Sequence, residues 1–140
     1  MVRINLINPK NLADQHLIAE YNEILMLLGH VDKFPTIKNQ PKKYCLGKGH
    51  INFFKDKIEY LKERHELIKN EMKNRGFKIS KTINLNKYTK EYRKNWKPKT
   101  KDKEIIKKRL IKKINLKPDY YRYIGEKKPK KFFVNLIKKG

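Results

Sequence analysis

The 140-residue sequence predicts an all-α fold, a single compact domain of three main helices with long irregular loops. Three stretches repeat apolar side chains at the 3.6-residue spacing of a helix, and no stretch shows the sustained alternation that is typical of a strand. A chain of this length buries roughly 68% of the surface that its unfolded form exposes. It is therefore long enough to build one hydrophobic core.

The first predicted helix begins after the segment Asn8-Pro9-Lys10-Asn11, with Asn11 as the candidate N-cap. Four apolar side chains then recur at i, i+4, i+7 and i+11 on one face: Leu17, Tyr21, Ile24 and Leu28. We expect this face to point into the core. Gly29 permits a left-handed C-cap, so the helix is expected to end there.

The second predicted helix is the longest and runs from about Phe53 to Arg75. Its helical spacing is carried by Phe54, Ile58, Leu61, His65, Ile68 and Met72. Gly76 supplies the stop signal. Residues 30–49 contain two prolines and two glycines and predict an irregular connection, with Gly47-Lys48-Gly49-His50 just before the helix.

The third predicted helix starts near Thr100 or Asp102 and ends before Pro118. Residues 77–99 show no convincing periodicity. After Gly125, the lysine-rich residues 126–131 predict a flexible basic arm. We therefore divide the sequence into a domain of residues 1–125 and a basic C-terminal extension of residues 126–140.

The charge of the chain predicts a polyanionic partner. Thirty-seven Lys and Arg residues against fourteen Asp and Glu residues give a formal net charge of +23. An apolar content of 38% is too high for a disordered basic tail. Lysine-rich composition also arises from AT-rich coding, so a soluble basic protein with solvated lysine faces is the alternative at this point.

Several classes of protein are excluded by simple features. No apolar run approaches 18 residues, so we expect no membrane span and no membrane partner. The single Cys45 excludes an intramolecular disulfide, and its spacing from the histidines matches no zinc pattern, so we expect no metal. The first six residues contain no long apolar signal region, and we expect an intracellular protein.

Two groups of residues are candidates for chemistry. On the first helix, His16, Glu20 and Glu23 fall within about 60° of one another, roughly 120° from the apolar stripe. The alternative is that both glutamates are solvated and pair with lysines at helical spacing. The second group lies on the third helix, where Arg109 and Lys113 form either a phosphate clamp or a solvated face.

An aromatic segment follows the third helix, with the sequence Pro118-Asp119-Tyr120-Tyr121-Arg122-Tyr123-Ile124-Gly125. Aromatic rings stack on nucleic-acid bases with about 1–3 kcal/mol for each base. The alternative is that the tyrosines cover the hydrophobic core and keep their hydroxyls in water.

Three blocks of the sequence together resemble one enzyme family. The blocks are residues 3–29, which contain Ala13-Asp14-Gln15-His16-Leu17 with Glu23 seven residues after the histidine, residues 44–79 and residues 109–125. They resemble the pyrimidine-dimer DNA glycosylases, the phage-type endonuclease V enzymes of DNA repair that excise ultraviolet photoproducts. The other parts of the chain do not resemble that family.

The resemblance implies a bifunctional DNA glycosylase and abasic-site lyase that uses no metal or cofactor. Its substrate is double-stranded DNA that carries pyrimidine dimers or abasic sites. The initiator Met is removed in that family, so the α-amine of Val2 is the expected nucleophile and Glu23 the essential carboxylate. An α-amine titrates near 7.7–8.0 and a Lys side chain near 10.4, so the α-amine is more often neutral at neutral pH.

The resemblance also assigns a DNA-binding role to other positions. Residues at the family's site are Arg3, Gln15 and His16, those that grip the DNA backbone are Arg109 and Lys113, and the damage-recognition stretch is Tyr120, Tyr121, Arg122 and Tyr123. We expect the base opposite the dimer to swing out of the duplex. We also expect a monomer, because an enzyme that slides along a duplex needs no symmetry.

Two positions depart from the family pattern. Asn22 and Met26 stand where the family carries arginines that contact the lesion and its phosphates. Either neighbouring lysines such as Lys48 compensate, or the substrate range differs. The alternatives are therefore an abasic-site lyase, a glycosylase for other damaged bases, or a non-catalytic basic DNA-binding protein.

Overall fold

Two long helices, α1 (Asp14–Lys33) and α3 (Ile58–Asn74), pack against each other in the computed structural model, which describes residues 2–140. The expected removal of Met1 concerns a residue outside this range. The remaining helices and strands are α2 (His50–Phe54), α4 (Thr100–Leu116), β1 (Arg122–Tyr123), β2 (Glu126–Lys127) and α5 (Lys130–Lys139). The described chain is 54% helical, with five α-helices and one two-stranded sheet, which confirms the predicted all-α class. None of these helices is long and apolar enough to cross a membrane.

Both predicted ends of α1 are wrong. The helix continues through Gly29 to Lys33, because Val31 in the last turn is buried in the core. Burial of such a side chain outweighs the cost of about 1 kcal/mol for a glycine inside a helix. Asn11 does not cap the helix, since its side-chain amide donates to the carbonyl of Leu136 at 2.8 Å. The N-cap is Ala13, which makes no side-chain capping bond.

The long second helix of the prediction is broken into α2 and α3. The amide of Ile58 donates to the carbonyl of Tyr92 at 2.9 Å, and the amide of Lys94 donates to the carbonyl of Asp56 at 3.0 Å. Residues 92 and 94 of a distant loop thus form hydrogen bonds with backbone groups of residues 56 and 58. In a continuous helix, these groups would pair with other residues of the same helix. Apolar spacing does not reveal this break, because the side chains on both sides of it face the same core.

The end of α3 and the bounds of α4 agree with the prediction. Gly76 has φ +86°, its amide donates to the carbonyl of Lys73, and the amide of Phe77 donates to the carbonyl of Met72. This is the hydrogen-bond pattern of a Schellman C-cap. Helix α4 ends two residues before Pro118, as expected from the restriction that proline places on the preceding residue.

The predicted flexible basic arm at 126–131 is wrong. Residues of β2 pair antiparallel with β1, and the two turn residues Ile124 and Gly125 have φ +51° and +77°. These angles are typical of a type I′ hairpin turn. Both turn amides donate to the carboxylate of Asp14, at 2.9 and 2.7 Å. Beyond the hairpin, α5 packs on α4 and buries Phe133 and Ile137 completely.

The described chain begins with a largely buried segment, residues 2–7, that belongs to neither a helix nor a sheet and turns at Leu6, where φ is +59°. The carbonyl of Ile7 accepts a hydrogen bond from the guanidinium of Arg64. Arg64 also forms a bidentate ion pair with Glu20, at 2.7 and 2.9 Å, and both side chains are at most 3% exposed. Glu20 is therefore a buried partner of α3, contrary to the alternative of a solvated glutamate.

We predict that Glu20→Gln lowers the free energy of unfolding by about 3 kcal/mol, because it leaves the buried Arg64 guanidinium without a counter-charge. Urea unfolding followed by circular dichroism measures the change. Glu104→Gln makes the same substitution at an exposed position of α4 and serves as the control. Equal unfolding midpoints for the two variants would contradict a role of the pair in stability.

Candidate active site

A cavity of about 250 Å³ opens where α1, α4, the N-terminal segment and the aromatic segment meet. Its walls are formed by Arg3, Asn5, Gln15, His16, Ala19, Glu23, Arg109, Leu110, Lys113, Tyr120 and Tyr121. Residues separated by more than one hundred positions in the chain thus share one cavity. The fold brings together most of the residues that the sequence nominates for catalysis or DNA binding.

Glu23 lies against the backbone at the start of the described chain. Its Oε1 accepts a hydrogen bond of 2.7 Å from the backbone N–H of Arg3. Burial raises the pKa of the Glu23 carboxyl above its ordinary value, and the hydrogen bond from Arg3 partly opposes this effect. Val2 is the preceding residue, is 8% exposed, and its carbonyl accepts from the guanidinium of Arg3 at 2.6 Å. The Arg3 nitrogen that binds Glu23 is one residue beyond the Val2 nitrogen, and Val2 itself does not line the cavity.

His16 is neutral at physiological pH. Its burial lowers its pKa to about 4, and the positive charges of Arg109 and Lys113 contribute to the same shift. The imidazole packs on the ring of Tyr121, with the two centroids 4.7 Å apart. Because this ring is uncharged, the positive charge of the cavity comes from Arg3, Arg109 and Lys113.

Three cations face the cavity from two elements. Arg3 comes from the N-terminal segment, and Arg109 and Lys113 lie one turn apart on α4. Burial lowers the pKa of the Arg3 guanidinium, and the nearby charge of Arg109 lowers it further. Like charges are held close together here, which favours binding of an anion such as a phosphate.

The aromatic segment is held in place by Gln15. The side-chain amide of Gln15 donates to the carbonyl of Tyr120 at 2.9 Å, and its oxygen accepts from the N–H of Arg122 at 3.0 Å. Tyr120 is 55% exposed at the mouth of the cavity, whereas Tyr121 is buried between His16 and Phe133. Of these two rings, Tyr120 is the one accessible to a ligand.

The rest of the predicted damage-recognition stretch lies in the hairpin, away from the cavity walls. The ring of Tyr123 packs under the guanidinium of Arg75 at 4.4 Å, and its hydroxyl donates to the carbonyl of Lys10. Arg122 is exposed and donates to the carbonyl of Gly125 at 3.2 Å. These contacts stabilise the hairpin and hold it against Lys10 and the end of α3.

The cavity walls do not include Asn22, Met26 or Lys48. Asn22 and Met26 are exposed on α1 on either side of Glu23, and the amide of Asn22 donates to the carbonyl of Ile18 in its own helix. Lys48 is exposed in the turn before α2. Within residues 2–140, no three His, Cys, Asp or Glu side chains gather as a metal site would require.

The sequence analysis missed two residues that contact the N-terminal segment. The Nε2 atom of His50 accepts from the N–H of Ile4 at 3.0 Å, and the hydroxyl of Tyr44 donates to the carbonyl of Ile4 at 2.8 Å. The sequence feature that could have pointed to His50 is the Gly47-Lys48-Gly49-His50 turn, which places the histidine at the start of α2.

We predict that His16 titrates with a pKa of about 4 in the folded protein, because burial and two nearby cations disfavour its charged form. NMR titration of the ring protons measures this value, with the signal assigned from its loss in His16→Gln. The substitution Arg109→Gln should raise the pKa of His16, because it removes one of these two cations. Since the unfolded chain takes up this proton near pH 6.5, protonation of His16 makes the protein less stable as the pH falls toward 4. A midpoint near 6.5 would contradict the burial of this ring in a cationic cavity.

A family model described as pyrimidine dimer DNA glycosylase matches residues 1–85, which is more than half of the chain. The match includes Arg3, His16 and Glu23, whereas α4 and Tyr120 lie beyond it. This finding confirms the resemblance seen in the sequence, and the chain belongs to the pyrimidine dimer DNA glycosylase family.

Proposed function

We propose that the chain excises ultraviolet-induced cyclobutane pyrimidine dimers from double-stranded DNA and nicks the strand through an abasic-site lyase reaction. The observation that carries the proposal is the 2.7 Å hydrogen bond from the N–H of Arg3 to Glu23. It brings the start of the chain to a carboxylate in the wall of a cationic cavity. Family membership supports the glycosylase reaction, and the geometry supports the way in which the reaction proceeds.

The nucleophile in this proposal is the α-amine of Val2, which is set free by removal of Met1. An α-amine titrates near 7.7–8.0, so a fraction of it is neutral at pH 7. The family's usual residue at this position is threonine, but the attack requires only the nitrogen.

Glu23 supplies acid–base chemistry and negative charge. As the amine nitrogen bonds to C1′, the glycosidic bond breaks and its electron pair leaves with the base. The carboxylate stabilises the positive charge that develops on the sugar and accepts a proton from the attacking amine. A proton delivered to O4′ opens the ring and leaves a protonated imine. Loss of a C2′ proton then breaks the C3′–O3′ bond, and the phosphate departs.

The cations around the cavity bind the DNA backbone. Arg109 and Lys113 meet phosphates beside the lesion, and Arg3 neutralises charge next to the reacting sugar. The exposed ring of Tyr120 stacks on a base that has left the helix. Arg122 and Lys48 contact more distant phosphates. The net charge of +23 keeps the enzyme, acting as a monomer, associated with DNA.

A second candidate function follows from Asn22 and Met26. Both are exposed beside Glu23, and neither brings a cation to the lesion. A missing cation weakens engagement of a dimer more than it weakens chemistry at an abasic site, where no base has to be displaced. The alternative is therefore an enzyme that acts chiefly on abasic sites or on other damaged bases.

We predict that sodium borohydride traps a covalent adduct between the protein and an abasic duplex, with the sugar on the Val2 peptide. Mass analysis of the digested adduct identifies the attachment and reports whether Met1 has been removed. Glu23→Gln should slow trapping by at least about 100-fold, which is the usual contribution of a general acid–base group. Glu104→Gln on α4 is the matched control. The absence of any adduct would leave only a basic DNA-binding protein, and an adduct on a lysine peptide would assign the nucleophile to that lysine instead of Val2.

We predict that the double variant Asn22→Arg/Met26→Arg nicks an ultraviolet-irradiated duplex about tenfold faster than the native chain, since a hydrogen bond to a charged group contributes about 1.5–3 kcal/mol. Nicking of an abasic duplex should change little. The control Leu67→Arg/Asn70→Arg adds the same charge on the exposed face of α3. If both double variants nick both duplexes faster than the native chain does, arginines at positions 22 and 26 act only through net charge.

A further inference from the structure

We infer that His50 and Tyr44 are positioning residues that hold the first residues of the chain against Glu23, and that His50 does so only as a neutral imidazole protonated on Nδ1. The inference rests on the proposed function, because it concerns the placement of the Val2 nucleophile. Neither residue touches the cavity walls, so neither is a catalytic residue.

The N-terminal segment has a specific need for such partners. Ile4 is fully buried in a segment that belongs to no helix or sheet, so its peptide groups are removed from water. Buried backbone groups require hydrogen-bond partners. The N–H of Ile4 donates to His50 Nε2 at 3.0 Å, and its carbonyl accepts from the Tyr44 hydroxyl at 2.8 Å. With the bond from Arg3 to Glu23, three backbone groups of Arg3 and Ile4 are held by side chains next to Val2.

The bonds of His50 define its protonation state. The backbone N–H of Ile4 is a donor, so Nε2 must accept and carries no proton. Nδ1 lies 2.7 Å from the carbonyl of Cys45, which accepts, so Nδ1 carries the proton. One neutral tautomer satisfies both contacts. An imidazolium would direct a second N–H at the N–H of Ile4 and break that bond.

The surroundings of His50 favour this neutral form. The side chain is 1% exposed, and burial lowers its pKa below the ordinary value for histidine. Arg3 from the N-terminal segment and Arg109 from α4 act in the same direction, whereas the Cys45 carbonyl and Glu20 from α1 oppose it. The rings of Tyr44 and Phe54 pack edge-on against the imidazole, at 5.5 and 5.3 Å between centroids.

The turn before α2 is built so that the ring reaches the segment. Gly47 and Gly49 have φ +70° and +98°, which side chains rarely adopt, and the amide of His50 donates to the carbonyl of Gly47 at 3.1 Å. A Cβ atom on Gly49 would lie only 3.0 Å from Cγ of Pro41. This tight turn makes His50 the first residue of α2 and directs its side chain at Ile4.

Placement of this kind matters for rate. A reacting group displaced by about 1 Å loses roughly 100-fold in rate, even when the change lies far from the chemistry. The Val2 nitrogen is only two residues from the N–H of Ile4, so loss of one of these bonds allows the nucleophile to move relative to Glu23. Binding of the duplex depends mainly on Arg109 and Lys113 of α4, which this contact does not hold.

Three variants separate the contacts. His50→Asn keeps an amide donor near the Cys45 carbonyl but loses the acceptor for Ile4. His50→Gln places an amide oxygen near the former Nε2 and restores that acceptor. Tyr44→Phe removes only the hydroxyl. His30→Asn and Tyr88→Phe make the same changes away from the segment and serve as controls. Urea unfolding shows that each variant is folded at the assay temperature.

The readouts are the single-turnover rate of borohydride trapping on an abasic duplex and the Kd for the same duplex. We expect His50→Asn and Tyr44→Phe to slow trapping at least tenfold with Kd within twofold of the native value, and His50→Gln to recover part of the loss. Trapping at the native rate in folded His50→Asn and Tyr44→Phe would overturn the inference. Absence of trapping by the native chain would overturn the proposed function instead.

A measurement that needs no catalysis tests the contact itself. In ¹⁵N-labelled native protein, a scalar coupling across the hydrogen bond is expected between the Ile4 amide nitrogen and His50 Nε2. The ¹⁵N shifts of the ring should show a neutral imidazole protonated on Nδ1. A ring protonated on Nε2, or the absence of this coupling for a resolved Ile4 amide, would overturn the inference whatever the enzyme activity.

Discussion

The burial of an N-terminal segment that belongs to no helix or sheet is the constraint on which the rest of the structure depends. Its backbone groups cannot be left unpaired away from water, so side chains from other elements must supply their hydrogen bonds. Glu23 from α1, His50 from α2, Arg64 from α3 and Tyr44 all do so. The cost of burying these polar groups is offset because each one satisfies a backbone group or a partner charge. The N-terminal segment thereby joins three helices and brings Arg3 to the cavity.

Carboxylates have two different uses in this highly basic chain. Asp14, Glu20 and Glu71 are buried and paired with arginines; the pairs of Asp14 and Glu20 join α1 to the α3 region, and Glu71 pairs with Arg75 at the end of α3. Glu23 instead accepts a backbone N–H and faces the cavity. Asp14 also accepts both turn amides of the hairpin, which fixes the aromatic segment near the first turn of α1. Packing and placement of the site therefore depend on the same small set of acidic side chains.

Local signals in the sequence were sufficient where the structure itself is local. Gly76 ends α3 because its positive φ suits the Schellman motif, and Pro118 limits α4 because it restricts the residue before it. Gly29 does not end α1, because the burial of Val31 stabilises the last turn by more than the glycine destabilises it. The lysines of 126–131 suggested a mobile arm, since nothing in that stretch shows that Asp14 pairs with the hairpin turn.

The sequence alone determined the helical class, the basic character and the family pattern around His16 and Glu23. Tertiary structure decided that Glu20 is a buried partner of Arg64, and that Arg3, Arg109 and Tyr120 share a cavity with Glu23. The physical reason is the range of each signal. Helical periodicity relates side chains only within one element, so it placed Glu20 and Glu23 on the same edge. Only the packing of the other elements around that edge gives the two residues different roles. Glu20 is paired with Arg64 in the interior, whereas Glu23 faces the cationic cavity.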